Sequence, residues 1–147
     1  MPSQLRDTKR RTIGALAAAL TIVACVGASR AADSTDPAGL WLVGDGSAVV
    51  KIEACGPALC GSLVWSLKPT DVKGRPLCGL AVLGAAVKTG ANSWGKGWIY
   101  SPKADAKYPA TLTLAADATL KIHVSAGLFG RDQTWTRPPQ TVTPCAP

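Results

Sequence analysis

A chain of 147 residues with a formal charge of +7 invites a nucleic-acid reading, but the charge is unevenly placed. Residues 1–31 hold five of the 16 basic residues and one of the nine acidic ones, which leaves 116 residues with eleven cations against eight anions, a net +3. Scattered charge of that kind offers no basic stripe for phosphates, 116 residues suffice for one core and not two, and no uncharged stretch beyond residue 31, Pro76 to Val87 among them, reaches the roughly 20 residues of a membrane helix.

In chain order, residues 1–31 have the layout of an export signal. Arg6, Lys9, Arg10 and Arg11 precede an uncharged run from Thr12 to Ser29, and Ser29-Arg30-Ala31 forms a small-x-small cleavage site. The expectation is a cleaved leader and an exported product, periplasmic or secreted. Ile22-Val23-Ala24-Cys25 also fits the loose pattern of bacterial lipoproteins, which would make Cys25 a lipid anchor, while Arg10-Arg11 matches a twin-arginine signal poorly. Residues 32–38 are small and polar and read as a disordered linker to a domain over 39–147.

From Gly39 the segments are short, rich in Val, Ile, Thr, Trp and Tyr, and separated by Gly, Pro, Asn and Asp, a pattern of strands and turns. Strands are expected near 39–43, 48–54, 61–67, 79–84, 97–101, 108–115, 119–125 and 132–137. Most connections have two to six residues and so favour antiparallel neighbours; Lys68 to Leu77 and Ala85 to Lys96 are the long exceptions. The fold class is all-β, a single small antiparallel β-barrel of about eight strands with little helix. Alternation sends Leu112, Leu114, Leu120, Ile122 and Val124 to one face and Thr111, Thr113, Lys121 and His123 to the other.

Four cysteines follow the leader: Cys55, Cys60, Cys78 and Cys145. An even count in an exported domain favours disulfides, and the spacings contain no Cys-x-x-Cys pair of the kind zinc sites use. Of the three pairings, Cys55 with Cys60 and Cys78 with Cys145 is preferred, because the first two flank a Gly-Pro-Ala-Leu turn and the second bridge anchors a Pro-rich tail.

Chemistry is sparse. His123 is the only histidine and Glu53 the only glutamate, so the sequence spells out no triad and offers Glu53 no plausible carboxylate partner. His123 reads as a solvated strand residue, and the aspartates at 45, 71, 105, 117 and 132 sit in or beside turns, where bonds to nearby backbone account for them. No phosphate loop, metal cluster or cofactor motif is present. Of the five tryptophans, Trp41, Trp65 and Trp135 read as core. Trp94 lies in the glycine-flanked stretch Asn92 to Gly97, which reads as a partly exposed loop; with Trp98 and Tyr100 it is the expected ligand contact, the alternative being ordinary packing.

Gly39-Leu40-Trp41, Ile52 to Trp65, Arg75 to Leu83, Trp94 to Pro102, Lys107-Tyr108 and Gln133 to Arg137 together resemble the bacterial exported family called domain of unknown function 2147, over Gly39 to Arg137. The sequence departs from that family in the short loop Asp71 to Arg75 and at Ala106. The resemblance implies fold and location more than activity. A fainter likeness is to lipocalin or calycin barrels, whose Gly-x-Trp and last-strand Arg are matched by Gly39, Trp41 and Arg137. It implies a guanidinium stacked on the Trp41 indole, worth about 0.5–2 kcal/mol.

The functional expectation is a non-enzymatic barrel binding an apolar or amphipathic small molecule, without cofactor, nucleic acid or transmembrane segment. The alternatives are an envelope structural or protein-interaction module with a filled barrel, and an unrecognised enzyme.

Overall fold

Short runs of β-branched and aromatic residues, each ended by a tight turn, build eight strands in the computed structural model, which describes residues 36–139 and 142–145. The leader, Cys25 and residues 32–35 of the expected linker lie outside the described residues. The strands are β1 (Gly39–Leu42), β2 (Ala48–Cys55), β3 (Ala58–Ser66), β4 (Ala81–Gly90), β5 (Ser93–Ser101), β6 (Ala106–Leu114), β7 (Leu120–Ala126) and β8 (Phe129–Trp135). Each pairs antiparallel with the next in one sheet. The sheet curls until its ends meet, where Leu42 and Thr136 exchange two backbone hydrogen bonds of 2.8 and 3.1 Å. This is the expected all-β, barrel-like architecture, and no described residue is helical.

Alternation sets the inner wall. Trp41, Val50, Ile52, Leu63, Leu83, Ala86, Trp94, Leu112, Leu120, Ile122 and Trp135 are all at most 6% exposed and belong to one contiguous cluster to which every strand contributes. The outer positions Lys51, Glu53, Lys107, Thr111, Thr113, Lys121 and His123 are exposed. Trp65 is only half-buried: the irregularity in the β2–β3 pairing between Val49 and Val50 moves it off the inner face, so it does not belong to the core with Trp41 and Trp135.

The expected long connection from Ala85 to Lys96 is a β-hairpin instead. β4 runs on to Gly90, a two-residue turn at Ala91-Asn92 follows, and β5 begins at Ser93. Ala85 and Lys96, at φ of +55° and +57°, mark irregularities that interrupt the alternation. Gly97 serves packing rather than a turn, since a Cβ there would come within 2.9 Å of the Ala86 methyl.

The linker expected up to residue 38 also ends earlier. Pro37 is buried and its carbonyl accepts a 2.8 Å bond from the Trp41 indole, so residues 36–38 belong to the barrel. Both expected disulfides are present, Cys55–Cys60 with Cα atoms 5.8 Å apart and Cys78–Cys145 at 6.1 Å. The second holds the tail against β3, where the Cys145 amide donates to the Val64 carbonyl at 2.7 Å.

Candidate functional site

The two ends of the barrel differ. At one end lie Asp36 to Ala38 and the turns after β2, β4 and β6. There the Arg137 guanidinium stands 3.8 Å from the centre of the Trp41 ring and donates to the carbonyls of Asp36 at 2.8 Å, Ala38 at 3.0 Å and Leu40 at 3.3 Å. Burial lowers the Arg137 pKa and the nearby Asp36 opposes the shift, but a guanidinium remains charged throughout the accessible range. Arg137 therefore works as a plug, its planar fork satisfying three strand-start carbonyls while its face covers the last indole of the core.

The opposite end, bounded by the turns after β1, β5 and β7 and the long β3–β4 connection, has no such plug among the described residues. Along the inner face of β7 burial runs from Leu120 at 0% and Ile122 at 1% to Val124 at 8%, and Ala126 is exposed. On β8 the same face passes from buried Trp135 through half-buried Gln133 and exposed Arg131 to Phe129 at 81% exposure. Gln133 accepts a 3.1 Å bond from the Trp135 indole. Tyr108 and Val43 lie half-buried against the core. The inner wall thus becomes accessible toward the β7–β8 turn.

A second cluster sits outside. Asp71 accepts from the amides of Lys73 and Arg75 at 2.8 and 2.9 Å and from Arg75 Nε at 2.7 Å, which folds residues 71–75 into a tight loop. Arg75 also reaches the Tyr100 hydroxyl and Asp105, Lys73 pairs with Asp105, and the Tyr100 hydroxyl donates to Asp105 at 2.6 Å. These bonds from Lys73, Tyr100 and Arg75 hold the Asp105 carboxyl well below the usual 3.8. The bond to Asp105 raises the Tyr100 phenol, and those to Asp71 and Asp105 raise Arg75. Every charge in this clasp has a partner, and together they fasten the β3–β4 connection to β5.

A third feature is a shallow groove of about 440 Å³ over β6, β7 and β8, lined by Thr111, Thr113, Lys121, His123 and the β8 segment Asp132 to Thr134. His123 Nδ1 and Asp132 are 2.6 Å apart, and the ring lies over Gly130, where a Cβ would have no room. Nε2 faces Gly130, and among the described residues no hydroxyl bonds to it, so the pair is not arranged there as part of a triad. Glu53, paired with Lys51 at 2.7 Å, is on another part of the wall. Among the described residues no three His, Cys, Asp or Glu side chains converge as a metal site would need.

A family model described as an uncharacterized protein conserved in bacteria, DUF2147, matches residues 39–137, the span from the first strand to the plug. The chain belongs to the DUF2147 family. Its fold is similar to that of a solved Helicobacter pylori protein described as belonging to the lipocalin family, with a TM-score of 0.63 and 17% identity over 72% of this chain and 85% of that one. At that identity the likeness concerns the fold alone. No curated protein matches the chain.

Within this DUF2147 barrel the three aromatics expected to form one contact surface are separated. Trp94 is 6% exposed inside the core, not in an exposed loop, because Gly95 and Gly97 belong to a strand. Trp98 and Tyr100 alternate with buried Ile99 and are both half-buried, Tyr100 packing against the edge of the core. The Trp98 ring covers Gly84 with the Lys107 ammonium 3.8 Å from its centre, and Tyr100 belongs to the clasp. The three rings therefore do not form one exposed contact surface. What the sequence reading missed is the mouth itself: Phe129, Arg131 and the turn residue Leu128. Their signal was legible, since two large apolar residues between Gly127 and Gly130 are unusual turn chemistry.

Proposed function

We propose that this DUF2147 protein is an exported, non-enzymatic barrel that takes an apolar or amphipathic small molecule through its open end. The observation that carries this reading is the burial gradient along the inner faces of β7 and β8, from closed core at Leu120 and Trp135 to accessible wall at Ala126 and Phe129. An acyl or aryl group laid on Val124, Ala126 and Tyr108 would exclude water from an apolar wall, and Arg131 at the lip is placed to pair with an acidic head group. Two disulfides fit an oxidising compartment.

A filled interaction module is the second reading, favoured by the contiguity of the buried cluster across both walls. The two are separated by mass spectrometry of small molecules extracted from protein purified out of the bacterial envelope, followed by displacement of a fluorescent fatty acid. Under the binding reading an amphiphile is recovered, and Ala126→Trp, which fills the lip from an exposed position, weakens displacement with no loss of stability. Recovery of nothing, together with no uptake of the probe, supports the filled module instead.

A further inference from the structure

Four large apolar residues stand out as exposed among the described residues: Leu67 at 68%, Val72 at 65%, Leu128 at 98% and Phe129 at 81%. Chain direction places all four at one end. Leu67 and Val72 belong to the β3–β4 connection and Leu128 and Phe129 to the β7–β8 hairpin, both at the open end and none at the end plugged by Arg137. Gly127, at φ of +62°, supplies the backbone this tight turn needs, yet Leu128 beside it has nothing to pack on. A two-residue turn is ordinarily polar, so an apolar tip of this kind asks for a partner.

The neighbouring charges indicate which partner. Lys68 follows Leu67, Lys73 follows Val72, and Arg131 lies two residues beyond Phe129. The acids at this end are engaged: Asp71 and Asp105 by Arg75 and Lys73, and Asp45 by Lys103 at 3.6 Å. Lys68 and Arg131 have no carboxylate partner among the described residues. The outer wall, with Lys51, Glu53, Lys107, Thr111, Lys121 and His123 exposed, is the reverse of a transmembrane barrel's apolar belt. Contact is therefore confined to the tips. Apolar tips on two separate loops do not make the continuous face that a folded protein partner would cover, whereas a fluid interface accepts each tip independently.

We infer that the open end docks on an anionic lipid bilayer, Leu128 and Phe129 entering the boundary between head groups and acyl chains while Arg131 and Lys68 face lipid phosphates. This stands on the exposed rim and not on the small-molecule reading; the two can fail separately.

The test is flotation of the protein, expressed with its own N-terminal segment and purified as the host leaves it, with vesicles of phosphatidylethanolamine and phosphatidylglycerol or of phosphatidylcholine alone. The wild type is expected to float with the anionic vesicles and less with the neutral ones. Leu128→Asp combined with Phe129→Ser should lower the apparent affinity by about tenfold or more, with an unchanged melting temperature because both side chains are exposed. Lys68→Glu combined with Arg131→Glu should abolish the preference for anionic lipid, as should high salt. A wild type that does not float with anionic vesicles overturns the inference. So does a hairpin variant that floats as well as the wild type, which would assign the binding to another segment.

Discussion

Replacing Arg137 with alanine probes the closed end most directly. The side chain makes three bonds to carbonyls, two of them at 3.0 Å or less and one at 3.3 Å, and stacks at 3.8 Å on Trp41. The carbonyls lie at a barrel end, where water can replace the lost donor, so each of the two short bonds contributes about 1 kcal/mol rather than the larger value of a sealed site. The stacking adds about 1 kcal/mol. The long bond adds little, and the expected loss is about 3 kcal/mol. For a fold of this size that is a fall in melting temperature of about 12 °C. Urea unfolding followed by tryptophan emission, with the disulfides kept oxidised, measures it, and amide exchange at residues 38–42 should accelerate. Arg137→Lys keeps the charge but not the planar fork, and should recover less than half of the loss. An alanine variant within about 0.5 kcal/mol of wild type, or a lysine variant equal to it, would refute the account of Arg137 as a plug.

Trp94→Ala should cost about 3–5 kcal/mol in the same unfolding assay because the ring is core, while Trp98→Ala, at a half-buried position, should cost less; a reversal would mean the burial of the two rings has been misassigned. Removing the long bridge with Cys78→Ala and Cys145→Ala together should cost about 4 kcal/mol, against about 2 kcal/mol for the short bridge, and equal losses would argue that chain entropy is not the source. The Asp105 carboxyl is depressed in the folded state, so the clasp contributes its full stability above the ordinary aspartate value of 3.8 and loses it only as pH falls through the depressed value. A carbon-detected NMR titration should show Asp105 still ionised at pH 3.8, and a normal midpoint would contradict the hydrogen-bonded geometry.

How much of this was legible in the sequence varies with the range of the interaction. The inner face of β6 and β7 could be read directly because Leu112, Leu114, Leu120, Ile122 and Val124 alternate without interruption. The Cys55–Cys60 bridge followed from a local turn, the Cys78–Cys145 bridge from the pair that was left and a tail in need of an anchor, and the Arg137–Trp41 stack from two motifs at the ends of the barrel. Trp94 was misread for a local reason. Glycines at 95 and 97 look like a loop, and only the close approach of Thr89 and Ala86 to those positions shows that they are strand residues with no space for a side chain. The clasp was illegible for a long-range reason, since Arg75 and Asp105 are 30 positions apart and nothing in either neighbourhood names the other. The open end lies between these cases: Leu128 and Phe129 were visible, but which end of the barrel they mark depends on closure.

The two disulfides differ in when they can form. Cys55 and Cys60 are five residues apart on either side of the first long hairpin, so their thiols meet as soon as β2 and β3 have emerged from the translocating or synthesising machinery. Cys78 and Cys145 are separated by 67 residues, and β4 through β8 all lie between them. That bridge cannot close on a chain interrupted anywhere in those five strands. Its oxidation therefore reports that β4 through β8 have been delivered whole, and the loss of two hydrogen atoms per bridge, passed to the oxidant of the compartment, would date each event separately by mass in a pulse-labelled cell.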